Sequence, residues 1–476
     1  MIKAKHAFMY KQLADEIELK IHKGIYQPGE KLPSIRQFHR KFHLSISTVY
    51  QAYMELETTG LIEARPKSGY YVRPVILNTL KQPVFNKKVS GPQKVELTSM
   101  VNSVLAAINN PRMLPLGSST TSAELLPLKY FSRILKSLSI KQMKSVSSYS
   151  ITEGNPELRR QLALMTTGVL KDITPDDIVV TSGCMEAVSL CLQAVLKPGD
   201  TLAIEAPTHF GFLQFFKEMG ILVAEIPTHP SLGVDIDELE KTIKSNAVKA
   251  CLFMPNFQNP LGSLMPDDSK KRLVRMLNNY EIPVIEDDIC GEMYYEGNQR
   301  PSLLKAYDKK NLVMTCSSFS KTLAPGFRIG WVVAGKRFRE KILRLKAGNT
   351  VCTSSLDQFV IKEFLKQGAC ERYFRSLRNA LKKQTIKTAL AIQKYFPDKT
   401  RLAVPEGGAL LWVQLPAGTD SLNLYKKALK HEISILPGIV CSVSDQFGNY
   451  IRIGCGHPFS EKTEKGIQKL GELTNE

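Results

Sequence analysis

Strand-like and helix-like patterns alternate along the chain from about residue 99 onward, and this alternation constrains the fold more than any other feature. Short apolar runs at 178–183, 250–254, 282–288 and 312–316 predict buried strands, and helical segments lie between them. Such alternation is typical of a mostly parallel sheet that helices cover on both faces. We therefore predict an α/β fold whose ligands bind beyond the carboxyl ends of the strands.

Lys321 follows the run 312–316 in a short turn rich in hydroxyl groups. Ser318 and Ser320 flank it, and Arg328 adds a fixed cation seven residues later. On these residues alone, a solvated surface lysine is the ordinary interpretation, because lysine side chains are mostly exposed. The alternative is a binding site, since hydroxyls and a guanidinium suit a phosphate and a desolvated lysine can act as a nucleophile.

The stretch NLVMTCSSFSKTLAPGFR at 311–328 resembles the lysine segment of the aminotransferase class I/II family, fold type I, which binds pyridoxal phosphate (PLP). The resemblance implies a PLP-dependent transferase fold, with a large and a small subdomain, at residues 99–476. It implies that Lys321 is the catalytic lysine that bonds covalently to the cofactor. Ser318 and Arg328 would hold the phosphate, with the hydroxyl of Ser320 beside them.

Two further motifs carry residues that the same resemblance places around PLP. In TSGCMEA, backbone N–H groups of Gly183, Cys184 and Met185 would bind the phosphate at the N-terminus of a helix. Taken alone, this motif fits a plain strand-to-helix turn as well as it fits a phosphate site. Asn259 of NFQNPLG would donate to the phenolic oxygen O3′ of PLP, although an Asn-Pro pair is otherwise only a turn former.

Three more side chains would complete the site. Asp287, in IPVIEDD, matches the family residue that keeps the pyridine nitrogen protonated, although acids at a strand end are often only a polar rim. Arg452, in YIRIGCG, would pair with a substrate carboxylate, which its planar fork suits. Tyr149, in SSYSITEGNPELR, resembles the tyrosine that reaches the phosphate of a neighbouring chain, which implies a homodimer; a core or surface tyrosine is the alternative.

The chain departs from the family pattern at two places near the ring. His209 stands where relatives usually have a tyrosine that stacks on the pyridine; histidine can still stack, and a structural histidine is the alternative. Ile289 and Cys290 stand where the family commonly has a tyrosine that donates to O3′. We predict that the loss of this hydrogen bond weakens catalysis.

Residues 1–74 contain patterns for three short helices and a two-stranded ribbon. A small α+β bundle without a DNA role also fits this periodicity. The strings PGEKLPSIRQF and SISTVYQAYMELETTGLIEARPKSGYYV resemble the GntR-type winged helix-turn-helix domain, which binds double-stranded DNA. The resemblance implies DNA contacts by Arg36, Ser45, Ser47, Thr48, Arg65, Lys67 and Gly69. Ile46 replaces an arginine of many relatives, which favours an apolar contact such as one to a thymine methyl.

Residues 75–98 combine prolines and lysines with no periodicity. They predict a linker that is partly extended by its prolines and that lets the DNA-binding unit move relative to the large domain. The formal net charge of +19 suits a polyanionic partner, but the charge is spread along the chain and does not locate a DNA site. Nine cysteines without CxxC pairs indicate free thiols and no zinc site, so no metal is expected. No apolar run is long enough to span a membrane, and a cytoplasmic protein is expected.

A GntR-type domain joined to an aminotransferase-like domain is the layout of the MocR subfamily of transcriptional regulators, which the sequence resembles over nearly its whole length. The resemblance implies a PLP-dependent regulator that binds DNA and senses a small amino compound or PLP itself. An active aminotransferase with an accessory DNA-binding domain is the alternative, because the chemical residues are all present. A PLP-free dimerisation scaffold is a third interpretation. Sustained keto-acid production would distinguish the enzyme from the sensor.

Overall fold

Three helices and a two-stranded ribbon form the N-terminal unit of the protein. The computed structural model describes residues 9–22, 25–27, 29–59, 61–65, 68–72, 81–95, 99–171, 173–295, 299–368 and 370–475. The unit consists of α1 (Met9–His22), α2 (Ile35–Phe42), α3 (Ile46–Thr58), β1 (Ile62–Arg65) and β2 (Gly69–Val72). The strands pair antiparallel, and each helix turns an apolar face inward, so that Phe38, Tyr53 and Ile62 are buried together. The unit therefore has its own core, and the predicted winged helix is confirmed.

An eight-stranded sheet organises the large subdomain. Its strands are β3 (Ile178–Thr181), β4 (Thr201–Ala206), β5 (Leu222–His229), β6 (Gly233–Val234), β7 (Val248–Phe253), β8 (Val284–Asp287), β9 (Val313–Ser318) and β10 (Gly330–Val333). They lie in the order β3-β10-β9-β8-β7-β4-β5-β6. The five strands from β9 to β5 in this order run parallel, whereas β10 and β6 run antiparallel to their neighbours. The predicted mostly parallel sheet is confirmed.

Helices cover this sheet because its strands are apolar on both faces. The helices that follow β2 in the chain are α4 (Ser99–Asn109), α5 (Leu128–Lys136), α6 (Ile140–Val146), α7 (Pro156–Thr166), α8 (Cys184–Val195), α9 (Phe210–Glu218), α10 (Ile236–Ser245), α11 (Asp267–Asn279), α12 (Lys336–Asn349), α13 (Ser355–Lys366), α14 (Cys370–Tyr395), α15 (Ser421–Leu429) and α16 (Glu461–Asn475). Helix α8 packs across β8, β9 and β10. No helix within the described ranges is long and apolar enough to cross a membrane.

A second, four-stranded sheet forms the small subdomain. Its strands are β11 (Arg401–Leu402), β12 (Leu410–Gln414), β13 (Leu436–Pro437) and β14 (Tyr450–Gly454), all antiparallel in the order β11-β12-β14-β13. The rings of Trp412 and Tyr450 stack at 5.3 Å between their centroids, and helices α14, α15 and α16 pack around the sheet. Strand β14 carries Arg452 in the middle of this sheet, which places a buried cation between the two subdomains.

The connector, residues 81–95, lies along both subdomains and is not a free tether. The Leu402 N–H donates to the carbonyl of Lys81 (3.0 Å), and the Val84 N–H donates to Oε1 of Gln414 (2.8 Å). Farther along, Gln93 and Val223 exchange two backbone hydrogen bonds at the edge of the large sheet. Satisfied backbone groups fix an extended segment in place. Residues 81–95 of the predicted linker are therefore held against both subdomains, and 75–80 and 96–98 lie outside the described residues.

Candidate cofactor site and DNA-binding surface

Lys321 ends a single turn, Phe319–Lys321, that directly follows β9. Its Nζ donates to Oγ of Ser119 (2.9 Å), and its backbone carbonyl accepts a hydrogen bond from Oγ1 of Thr121 (2.6 Å). Burial lowers the pKa of Lys321 below its ordinary value, because a charged ammonium is less stable in a dry site. A lowered pKa raises the fraction of neutral amine, which is the nucleophilic form.

Backbone amides, a hydroxyl and a guanidinium converge at the N-terminus of α8. Gly183 precedes the helix at φ +89°, and a Cβ on it would lie 2.4 Å from Nη2 of Arg328. Arg328 in turn donates from Nη1 to Oγ of Ser320 (3.2 Å), and the Ser320 N–H donates to Oγ of Ser318 (3.2 Å). Only glycine permits this close approach, and the resulting cradle suits a phosphate.

Glu186 places a carboxylate in the first turn of α8, beside this cradle. It accepts hydrogen bonds from the Ser182 N–H and from Oγ1 of Thr350. The Ser182 amide is thereby occupied, so the free donors at this end of the helix are those of Gly183 and the residues that follow. Arg328 also donates from Nη2 to the Ser182 carbonyl at 3.3 Å, which fixes its fork across the turn.

Asp287 ends β8 with its carboxyl group buried. Its Oδ1 accepts hydrogen bonds from the Ile289 N–H (3.0 Å) and from Sγ of Cys184 (3.3 Å). Burial raises the pKa of Asp287 to about 6, because neither neutral donor replaces the water that a carboxylate loses. A buried carboxylate that accepts hydrogen bonds only from weak, neutral donors is stabilised by a cation beside it. A protonated pyridine nitrogen is such a cation. The residues present thus fit the predicted cofactor.

Arg452 and Asn259 form a buried pair at the boundary between the subdomains. Arg452 donates from Nη1 to Oδ1 of Asn259 (2.9 Å) and from Nη2 to the Gly117 carbonyl (2.6 Å), while its Nε has no partner among the described residues. Burial lowers the pKa of Arg452 to about 10, at which it remains a cation at neutral pH. The unsatisfied Nε leaves one donor for an anionic group.

His209 lies beside this pair, with its Nδ1 3.4 Å from Nδ2 of Asn259. Burial lowers the pKa of His209 to about 3, so the ring is neutral at physiological pH. Its edge contacts with Phe210 and Phe212 hold the imidazole among other aromatic rings. A neutral flat ring at this place is compatible with the predicted stacking role.

Two predicted residues of the site are not brought into the cluster within one chain. Tyr149 is 88% exposed, and its side chain has no partner among the described residues. Met185 is also exposed, which leaves its backbone amide as the group that can contribute. The prediction for Tyr149 requires a second chain, so a single chain leaves it open.

Four residues that the sequence analysis did not assign to the site, Ser119, Asn256, Asp288 and Arg300, support the cluster. Ser119 holds the Lys321 amine from a loop 202 residues away in sequence, and the hydroxyl-rich run 118–122 is the only signal that could have indicated it. Asp288 accepts hydrogen bonds from Nδ2 of Asn256 (2.8 Å) and from Nη2 of Arg300. This buried network fixes the loop ends that carry Asp287 and Asn259.

The predicted DNA-contact residues lie on the surface of the N-terminal unit. Ser45 caps α3 by accepting from the Thr48 N–H (3.1 Å), and its hydroxyl is 2.8 Å from that of Ser47. Ile46 and Tyr50 are exposed one helical turn apart on the same face of α3. Polar hydroxyls at the helix start and an exposed apolar face are what a recognition helix presents to DNA.

The wing carries one cation held in place by an aromatic ring. The guanidinium carbon of Arg65 lies 4.1 Å from the centroid of the Tyr71 ring, and its Nε donates to Oε1 of Glu63 (2.9 Å). Arg36 on α2 is exposed, and Gly69 begins β2 at φ +111°. Lys67 lies outside the described residues. In the described part of the chain, no group of three or more His, Cys, Asp or Glu side chains could hold a metal ion.

Both parts of the chain match families of known proteins. Residues 115–470 match the family model for aminotransferase class I and II, and residues 9–72 match that for bacterial regulatory proteins of the gntR family. The uncharacterized HTH-type transcriptional regulator YdcR of Escherichia coli K12 is 36% identical over 98% of this chain and 99% of its own. Aromatic-amino-acid aminotransferase 1 of Thermococcus litoralis is 29% identical over 82% of this chain and 94% of its own.

A solved structure is similar over the large and small subdomains. Kynurenine aminotransferase of Pyrococcus horikoshii, solved in complex with PMP, superposes with a TM-score of 0.74 at 29% identity, covering 80% of this chain and 95% of its own. The α-aminoadipate aminotransferase LysN of Thermus thermophilus, complexed with N-(5′-phosphopyridoxyl)-L-leucine, gives a TM-score of 0.73 at 27% identity over the same shares.

Proposed function

The chain belongs to the aminotransferase class I and II family and carries a gntR-family DNA-binding domain, and from this premise we propose that it is a PLP-dependent transcriptional regulator that senses a small amino compound. PLP is the cofactor of the family, and it supplies an electron sink for amines bound to it. The observation that carries the proposal is that one chain joins a helix with exposed Ile46 and Tyr50, in a gntR-type domain, to a half-buried lysine whose amine is held by Ser119. DNA as partner favours a cytoplasmic location.

Each residue of the cluster has a role in this proposal. Lys321 would supply the neutral amine that bonds to PLP, and Ser119 orients that amine. Asp287 would keep the pyridine nitrogen protonated, and the α8 cradle with Arg328 would bind the phosphate. Arg452 and Asn259 fix the side of the pocket where a carboxylate or phenolic oxygen binds. Effector binding between the subdomains would draw them together.

The connector supplies a route from this site to the DNA-binding unit. Its hydrogen bonds reach Gln414 and Leu402 of the small subdomain and Val223 of the large one. A displacement of one subdomain relative to the other therefore displaces residues 81–95, which follow the winged helix in the chain. A ligand that binds one arrangement of the subdomains more tightly than the other shifts the protein toward that arrangement, and DNA binding changes with it.

We propose a homodimer as the functional form. Exposed apolar side chains cluster on α6 and the loop after it, where Ile140, Met143, Tyr149 and Ile151 face solvent in the single chain. A second copy would cover these side chains, and Tyr149 would then reach the phosphate cradle of its neighbour.

The experiment that tests the function compares DNA affinity and cofactor absorbance in one titration. Purified PLP-loaded protein is titrated with a panel of amino acids, while fluorescence anisotropy follows its binding to DNA from its own promoter region. We expect one amino compound to shift the absorbance spectrum and change the DNA affinity, with no accumulation of keto acid. Sustained keto-acid release with unchanged DNA affinity would favour the active aminotransferase, which the assembled Lys321, Asp287 and Arg452 also support.

Cys290→Tyr is expected to accelerate the reaction with amino compounds by about ten- to hundredfold, since one hydrogen bond to a charged oxygen is worth ~1.5–3 kcal/mol. The native thiol is buried close enough to Lys321 to interact with it electrostatically, and burial raises the pKa of Cys290 to about 12. It is thus a neutral, weak donor. Stopped-flow absorbance measures the rate. Cys290→Phe adds the ring without the hydroxyl, and an equal acceleration in that variant would contradict the prediction.

A further inference from the structure

A cavity of about 1050 Å³ lies where the connector, the wing strand and the small subdomain meet. Its walls come from Lys81 and Val84 of the connector, Glu63 of β1, the C-terminal half of α14, the loop 396–400 and the ends of β11 and β12. None of these residues belongs to the cofactor cluster. We call it the junction cavity. Its volume is that of a pocket for a small metabolite.

The walls of the junction cavity are built from packed and hydrogen-bonded elements. Leu402 donates its N–H to the Lys81 carbonyl (3.0 Å), and Gln414 accepts from the Val84 N–H (2.8 Å), so the connector is fixed against β11 and β12. Two half-buried apolar side chains, Leu390 and Phe459, form part of the wall. A ligand with an apolar body would bury surface against them.

The polar part of the wall carries more cations than anions. Its basic residues are Lys81, Lys387, Lys394, Lys399 and Arg401, against the acidic Glu63, Asp398 and Glu464. Lys394 pairs with Glu464 at 3.4 Å. By contrast, Lys81, Lys399 and Arg401 make no ion pair with any carboxylate in the described ranges. The hydroxyl of Thr400, between the last two, is buried without a hydrogen-bond partner among the described residues.

We propose that the junction cavity is a second ligand site, which binds a small metabolite with an apolar body and one phosphate or carboxylate group. Lys81, Lys399 and Arg401 attract the anionic group. The bound molecule touches the connector and the wing strand at once, so it acts on the link to the DNA-binding unit without entering the cofactor site. The proposal holds whether or not the cofactor site senses an amino compound.

The test uses 8-anilinonaphthalene-1-sulfonate, a fluorescent dye with an apolar body and one anionic group. PLP-loaded wild-type protein is titrated with the dye beside Lys399→Gln/Arg401→Gln and a control, Lys309→Gln/Lys430→Gln, which removes two exposed cations elsewhere. We expect one saturable dye site per chain, at least about fivefold weaker in the cavity variant and unchanged in the control. Phenyl phosphate and benzoate are then used as competitors.

The two competitors distinguish a phosphate-bearing ligand from a carboxylate-bearing one. Displacement by phenyl phosphate alone assigns a phosphorylated ligand, and displacement by benzoate alone assigns a carboxylate. Equal dye affinity in the wild type and the cavity variant, no saturable site in the wild type, or displacement by neither competitor overturns the proposal. Circular dichroism of each variant confirms that a weaker affinity does not come from unfolding.

Discussion

Lys321→Ala is expected to remove the visible absorbance band of the bound cofactor and to slow the reaction with amino compounds by at least ~1000-fold, since the nucleophile itself is lost. Lys321 is the amine that lies at the end of β9, near enough to Asp287 and Cys290 to interact with both electrostatically. Burial lowers its pKa, which raises the fraction of neutral amine, and Ser119 holds that amine at 2.9 Å. Absorbance of the PLP-reconstituted variant, with stopped-flow mixing against the effector, measures both losses.

Two comparisons make the Lys321→Ala result specific. Lys321→Arg keeps a cation of similar length that cannot form the covalent bond, so the band should vanish in it as well. DNA affinity without effector should stay within about twofold of wild type in both variants, because the winged helix has its own core. A band that survives in Lys321→Ala would mean that another lysine binds the cofactor, and the assignment would fail.

The residues predicted to hold the cofactor meet in the structure because they lie at strand ends. Asp287 is the last residue of β8, and Lys321 and Asn259 come after β9 and β7, its neighbours in the parallel part of the sheet. The carboxyl ends of such strands lie at one edge, so a motif at each end suffices to predict that they meet. Arg328 and Gly183 meet for the same reason, through the pairing of β10 with β3.

Other contacts depend on packing that no local pattern encodes. Ser119 reaches the Lys321 amine from a loop that precedes α5, and Arg452 reaches Asn259 across the boundary between two sheets. The sequence around Arg452 does not show that its guanidinium donates to the side-chain amide of Asn259 and to the Gly117 carbonyl. The position of Tyr149 depends on a second chain, which the sequence implies only through resemblance.

The connector shows what composition alone leaves out. Its prolines and lysines predicted a partly extended tether between two domains. The structure instead pairs its backbone groups, as in the exchange between Gln93 and Val223, and buries Val95. Backbone hydrogen bonds are available to every non-proline residue, so their partners cannot be read from residue type.

Asp287→Asn is expected to have opposite effects on stability and on chemistry. The folded-state pKa of Asp287 is raised from 3.8 to about 6, so the folded protein holds this proton more tightly than the unfolded chain does. Its contribution to stability is therefore complete below pH 3.8 and is lost as the pH rises through about 6. The loss corresponds to ~3 kcal/mol in the free energy of unfolding.

At pH 8, cofactor-free Asp287→Asn should thus be more stable than the cofactor-free wild type by up to ~3 kcal/mol, as measured by urea unfolding. The PLP-loaded variant should react with amino compounds roughly 1000-fold more slowly, because a neutral amide does not keep the pyridine nitrogen protonated. Asp288→Asn is the matched control: Asp288 pairs with Arg300, so its loss should destabilise the protein, by ~3 kcal/mol. A destabilised cofactor-free Asp287→Asn at pH 8 would show that Asp287 has a cationic partner already, and that the site is not built around a protonated ring.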